Sequence, residues 1–194
     1  MKNIFLTLLL IISISCKAQI VDVNTSPLRM TQGGYYAKDS NNEFDPFLGT
    51  WEATWNNKKI TLYLSKVTHH YIDDVILGYY YTDFVIGKYK VVDLSTGATL
   101  EDTTNITNIE DMPIESTVLI RNKNLLWFLY MKRGVNAGDC GILSNVLLYR
   151  DINNPNILTY KYFIDSYEDR GCPYTNVDDI PVNIPKQEVI LHKL

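Results

Sequence analysis

The chain has 194 residues, 46% of them hydrophobic and 21% charged, with 18 Lys and Arg against 22 Asp and Glu. That balance excludes collagen-like, coiled-coil and wholly disordered classes. A formal charge of -4 with no Lys/Arg cluster argues against nucleic acid as a partner, because such binding depends on many cationic contacts to phosphate.

Residues 1 to 15 open with Met1 and Lys2, run through an apolar block from Ile4 to Ile12, and turn to small residues at Ser13 and Ser15 just before Cys16. This is the pattern of a secretory signal. The block is too short for a transmembrane helix, which needs roughly 20 residues. Two cleavage sites compete. Ser13-Ile14-Ser15 before Cys16 resembles a bacterial lipobox, which would lipidate Cys16 and anchor the chain to a membrane of the cell envelope. Cys16-Lys17-Ala18 suits an ordinary signal peptidase and would leave a secreted or periplasmic chain beginning at Gln19. The lipobox is the preferred reading.

Either cut takes Cys16 out of the thiol account and leaves Cys140 and Cys172. An even pair in an oxidising compartment reads as a disulfide, worth roughly 3 to 4 kcal/mol on the chain-entropy model. Two buried free thiols or a catalytic Cys are the alternatives, and neither residue sits in a C-x-x-C motif.

From 16 to 46 the chain is polar and broken by Thr25-Ser26-Pro27, Gln32-Gly33-Gly34 and Asp39-Ser40-Asn41-Asn42, which reads as a tether. The alternative is that part of it packs as an edge strand, with Tyr35-Tyr36 as its anchor. One domain is expected from 47 to 194. Its runs are rich in Val, Ile, Thr, Tyr, Phe and Trp, punctuated by Asn, Gly and Asp. Thr50 to Trp55, an Asn56-Asn57 turn and Lys59 to Val67 form a half-buried hairpin in which Ile60, Leu62 and Leu64 alternate with Thr61, Tyr63 and Ser65. Further strands are expected over Tyr71 to Tyr81 and Phe84 to Leu94, with bulges or bends at Gly78 and Gly87. Glu115 to Arg121, Leu125 to Met131, Ile142 to Tyr149, Leu158 to Ile164 and Glu188 to Leu194 complete about nine. No stretch of the mature chain has convincing helical periodicity. Short connections imply an all-β, antiparallel up-and-down meander closing into a barrel, with a two-sheet sandwich as the runner-up.

The run Asp45-Pro46-Phe47-Leu48-Gly49-Thr50-Trp51-Glu52 resembles the opening of calycins, the lipocalins and fatty-acid-binding proteins, in which a G-x-W on the first strand closes the barrel base. Lipocalins also carry an Arg on the last strand that packs over this Trp, where 188 to 194 offers only Lys193. Fatty-acid-binding proteins insert helices after the first strand, where Asn56-Asn57 turns directly into another. The chain is more specifically similar to a family of uncharacterised exported bacterial proteins. The matching features are the lipobox-like start, Tyr35-Tyr36-Ala37-Lys38-Asp39 before the G-T-W, Asp74, Gly78 and Tyr80 in a D-x-x-x-G-x-Y strand, and Ile184-Pro185 before a final V-I-L-H-K. That resemblance implies location and fold but no catalytic residues. Physically, Gly49 permits a strained entry into the strand, and Trp51, on the same face as Trp55, is expected to be buried at the closed end under Pro46 to Gly49.

No reactive constellation emerges. His69 and His70 are adjacent, and on a strand neighbours point to opposite faces, so both cannot comfortably ligate one metal. His192 stands alone on the last strand. The acidic pairs Asp73-Asp74, Glu110-Asp111, Glu168-Asp169 and Asp178-Asp179 lack the spacing of a calcium loop and read as solvated charges. Tyr is prominent, 14 against 6 Phe and 3 Trp, and Tyr79-Tyr80-Tyr81 puts rings on both faces of one strand. Cross-strand aromatic pairing on an exterior or rim is preferred to a ligand-lining or protein-contact surface. Trp127-Phe128 splits between core and outer face. The sequence thus predicts no enzyme, cofactor or metal. The leading expectation is a lipid-anchored, lipocalin-like module for a small apolar or lipidic ligand. The alternative is an interaction or structural module of the cell envelope with a filled barrel.

Overall fold

A computed structural model describes residues 19–24, 34–132, 140–168, 172–174 and 176–194, with side chains other than those of 165–168 and Val177. The strands are β1 (Ile20–Asp22), β2 (Tyr36–Lys38), β3 (Gly49–Trp55), β4 (Lys58–Asp74), β5 (Gly78–Asp93), β6 (Thr99–Asp102), β7 (Ile114–Ile120), β8 (Leu125–Lys132), β9 (Gly141–Arg150), β10 (Ile157–Glu168) and β11 (Val189–Lys193). The described residues contain short 3-10 turns but no α-helix. The chain packs as two units, one of residues 1–40 with 68–83, the other of residues 41–67 with 84–194.

The second unit is the expected barrel. β3, β4, β5, β7, β8, β9, β10 and β11 follow one another around a closed antiparallel ring of eight, in chain order except that β6 lies off the path on β5. The ring shuts where Ile86 faces Glu115 and Gly87 faces Ile114. At Gly87 an added Cβ would stand 3.1 Å from Ile114 and from Leu64, so a side chain there would push these neighbours back by a few tenths of an ångström at the seam. Asn56 and Asn57, both at positive φ (41° and 60°), make the β3–β4 turn, a conformation that suits a hairpin and that Asn tolerates.

Alternation decides what fills the ring. Trp51, Ile60 and Leu62, then Tyr89, Leu126, Phe128 and Tyr130, then Leu148, Leu158, Tyr160 and Leu191 are each at most 2% exposed. The interior is packed with its own side chains. Trp51 is buried under the entry segment: Phe47, in a 3-10 turn over Asp45–Phe47, accepts a 2.8 Å hydrogen bond at its carbonyl from the Trp51 indole N–H. Gly49 enters β3 at φ +115°, a region that L side chains rarely adopt.

Cys140 and Cys172 are joined, their Cα atoms 4.9 Å apart and 32 residues apart in sequence. Three expectations need correction. Tyr71 to Tyr81 is not one strand: β4 runs unbroken to Asp74 and β5 starts at Gly78, with the turn between them at Val75, Ile76 and Leu77. The apex itself is apolar and the cues stand only at its flanks, Asp74 and Gly78 at φ +73°, while Thr68-His69-His70 misleads as a break. Gly78 therefore ends a turn and makes no bulge. Finally, the tether expected over 16–46 carries β1 and β2, which pair with each other in parallel, and β2 pairs in parallel with β5 at Tyr81 and Thr82, as the edge-strand alternative foresaw.

Candidate functional site

The first unit holds the most concentrated chemistry among the described residues. Period-two alternation puts His69 and Tyr71 on one face of β4, and Tyr79 and Tyr81 on one face of β5. The His69 ring stacks on Tyr81 with centroids 4.1 Å apart and meets Tyr36 edge-on at 4.7 Å. Tyr71 lies 6.3 Å from Tyr79 in a stacked arrangement and edge-on to Tyr81 at 5.6 Å. The five rings make one continuous row, and Tyr71 and Tyr79 are about half exposed. Tyr80 points the other way and stacks at 5.0 Å on Tyr35, which is buried.

A buried carboxylate holds the row in register. Asp83, 2% exposed, accepts at Oδ1 from the Tyr36 hydroxyl at 2.6 Å and from the His69 backbone N–H at 3.0 Å, and at Oδ2 from the Asp39 N–H at 2.9 Å. It thereby ties β2 and β4 to β5. His69 pays for its place with φ +54°, costly for a residue with a Cβ and found where surroundings over-determine the backbone. Burial, then the hydrogen bond to Asp83 and its charge, push the Tyr36 hydroxyl up to about 12.

The β4–β5 turn beside this row is apolar at its tip. Val75 and Ile76 are essentially fully exposed, and Asp74 fixes the turn by accepting from the N–H of Ile76 at 2.7 Å and of Leu77 at 2.8 Å. Those two donors, Leu77 foremost, hold the Asp74 carboxyl below its ordinary range.

The barrel unit carries a second polar group. The Tyr89 hydroxyl donates to Glu101 Oε1 at 2.5 Å and lies 3.3 Å from the Tyr130 hydroxyl, while Asn183 donates to Glu101 Oε2 at 2.9 Å. Burial, with the Tyr130 and Glu101 charges behind it, drives Tyr89 far above its ordinary value. Tyr89, Glu101, Thr103, Met112, Tyr130 and Lys132 line a shallow open depression of about 200 Å³. The Tyr160 hydroxyl is buried with no hydrogen-bond partner among the described residues.

Of the residues singled out from sequence, Gly49 and Trp51 sit together at the barrel end and Cys140 meets Cys172. Cys16 and the whole signal segment lie outside the described residues, as does Asp169. His69 joins the aromatic row, whereas His192 pairs across the ladder with Glu52. Phe128 is buried and Trp127 is 36% exposed, the expected split. Tyr71, Tyr79 and Tyr81 form cross-strand pairs, in the first unit rather than on a barrel exterior, while Tyr89, Tyr130 and Tyr160 are buried inside the barrel. Asp83 went unseen in sequence; the available signal was an acid in the middle of the Tyr79 to Ile86 strand run, where an unpaired carboxylate would be costly.

These features define an eight-stranded antiparallel β-barrel protein, lipocalin-like in architecture, with an aromatic hairpin unit. The chain belongs to the family of unknown function DUF6705, whose model matches residues 1–148. No curated protein and no solved structure matches it.

Proposed function

We propose that this is an exported, lipid-anchored module of the cell envelope that works by contact with other macromolecules, with a filled barrel as its rigid support and no catalytic step. The observation that carries the reading is the interior. A carrier of apolar molecules needs an open cavity of several hundred cubic ångströms. The positions that would line one are taken by Trp51, Tyr89, Phe128, Tyr130 and Tyr160, each at most 2% exposed. The aromatic row supports a contact role, since half-exposed tyrosines present large amphipathic area at small entropic cost. The Cys140–Cys172 disulfide and the apolar block from Ile4 to Ile12 support export, because such bonds persist in oxidising compartments.

Native mass spectrometry of protein released from its own membranes tests the reading. The expected species is the polypeptide with acyl chains on Cys16 and nothing bound non-covalently. A stoichiometric apolar passenger would restore the carrier hypothesis.

A further inference from the structure

We propose that the β4–β5 turn inserts Val75 and Ile76 into the headgroup region of a zwitterionic bilayer, making a second membrane contact beside the lipid on Cys16. The inference rests on the anchored reading for the presence of a membrane, but not for the chemistry of the tip.

The hairpin is aliphatic at its apex and aromatic farther back. Two adjacent aliphatic side chains stand at the apex with exposures of 104% and 89%. Farther back along the two strands, beyond Asp73, Asp74 and Gly78, lie the half-exposed rings of Tyr71 and Tyr79, stacked on each other. Behind these come His69, Tyr81 and Tyr36. An aliphatic tip below an aromatic collar follows the profile of a lipid–water interface, where Tyr rings settle at headgroup depth. The turn is also held in place, by the bonds from Ile76 and Leu77 to Asp74, so insertion requires no new ordering.

Strand direction supplies the second argument. β5 runs away from the tip; β2 is parallel to β5 and β1 is parallel to β2. Ile20 is level with Tyr36, which is level with Tyr81, so β1 enters from the tip end of this unit. From Tyr81 back to the turn at Leu77 is four residues, roughly 13 Å of strand. From Ile20 back to Cys16 is also four, a reach of up to roughly 14 Å. An acyl chain on Cys16 and the aliphatic tip can thus meet the same bilayer. Asp73 and Asp74 next to the tip disfavour anionic headgroups, which sets the choice of a zwitterionic surface.

The test places a reporter at the tip of the mature protein. Ile76→Trp, incubated with phosphatidylcholine vesicles bearing brominated acyl chains, should be quenched beyond the wild type. Ile152→Trp, at another largely exposed aliphatic position, 73%, should not. Adding Val75→Ser to the Ile76→Trp protein should raise the lipid concentration needed by about tenfold, the scale of losing one buried aliphatic side chain. Quenching of Ile76→Trp no greater than wild type would overturn the proposal. So would a blue shift of its emission that follows protein concentration rather than lipid, which would give the tip to a second copy of the chain. Mass spectrometry of Cys16 reports separately: an acylated Cys16 with an unquenched tip sinks this inference alone, and an unmodified Cys16 with a quenched tip sinks only the anchor.

Discussion

The ammonium of Lys193 stands over the ring of Trp51, 5.1 Å from its centre, at the last interior-facing position of the last strand. Lys193 and Trp51 are direct cross-strand partners, so the end of the chain is laid over the residue that begins the barrel. The Lys193 side chain crosses the space that a Cβ on Gly49 would enter, 3.2 Å from Lys193 Cε. Trp51→Ala should cost roughly 3 to 5 kcal/mol in denaturant unfolding, because it empties a fully buried site. Lys193→Ala should cost only about 0.5 to 1 kcal/mol, the scale of an exposed cation–π contact. Gly49→Ala should fall between them. A Trp51→Ala protein with an unchanged midpoint would remove the closure role from this residue.

Reducing the Cys140–Cys172 bond, or the double change to Ser, should lower stability by about 3 to 4 kcal/mol, as expected for opening a loop with ends 32 residues apart. Non-reducing peptide mapping should recover the two cysteines in one fragment pair. Two free thiols in protein from its native compartment would contradict the pairing and weaken the export reading with it.

The barrel was legible because its strands obey period two and its turn at Asn56-Asn57 uses residues that tolerate positive φ. The hairpin unit was less so. The Val75-Ile76-Leu77 apex has no turn residue of its own, its cues standing only at the flanks in Asp74 and in Gly78 at φ +73°, and the Val75 and Ile76 side chains are almost fully exposed. The role of Asp83 depends on β2, a strand of three residues whose partners are fixed by tertiary hydrogen bonds rather than by local propensity. The filling of the barrel is likewise a matter of volume, which residue identity along one strand does not report.

Asp83→Ala should loosen the hairpin unit. It leaves the Asp39 N–H, the His69 N–H and the Tyr36 hydroxyl without their acceptor, and a buried donor left unmade costs about 1 to 3 kcal/mol. Hydrogen exchange should therefore accelerate at the Asp39 and His69 amides while Leu126, Phe128 and Leu148 in the barrel keep their protection. Uniform acceleration across both sets would mean that Asp83 supports the whole fold rather than one unit.

Alkaline pH should unfold the protein through its tyrosines. Tyr36 is pushed up to about 12, by burial first and by Asp83 second, and burial likewise raises Tyr89, Tyr130, Tyr160 and Tyr162 above the ordinary value near 10. In the unfolded chain all of them release protons as pH passes about 10, whereas the folded chain keeps them. The folded state then binds more protons than the unfolded, so stability is fully present below about pH 10 and falls as pH rises toward and beyond 12. Absorbance at the phenolate band should accordingly rise in two stages. The exposed share of the 14 tyrosines ionises without loss of circular dichroism, and the buried share ionises only together with the fold. Tyr36→Phe should remove one group from the second stage and flatten the pH dependence of the hairpin unit's amide protection, leaving the barrel's collapse where it was. If every tyrosine ionised reversibly in one step with the fold intact, the hydroxyls placed inside the barrel would have to be in contact with water.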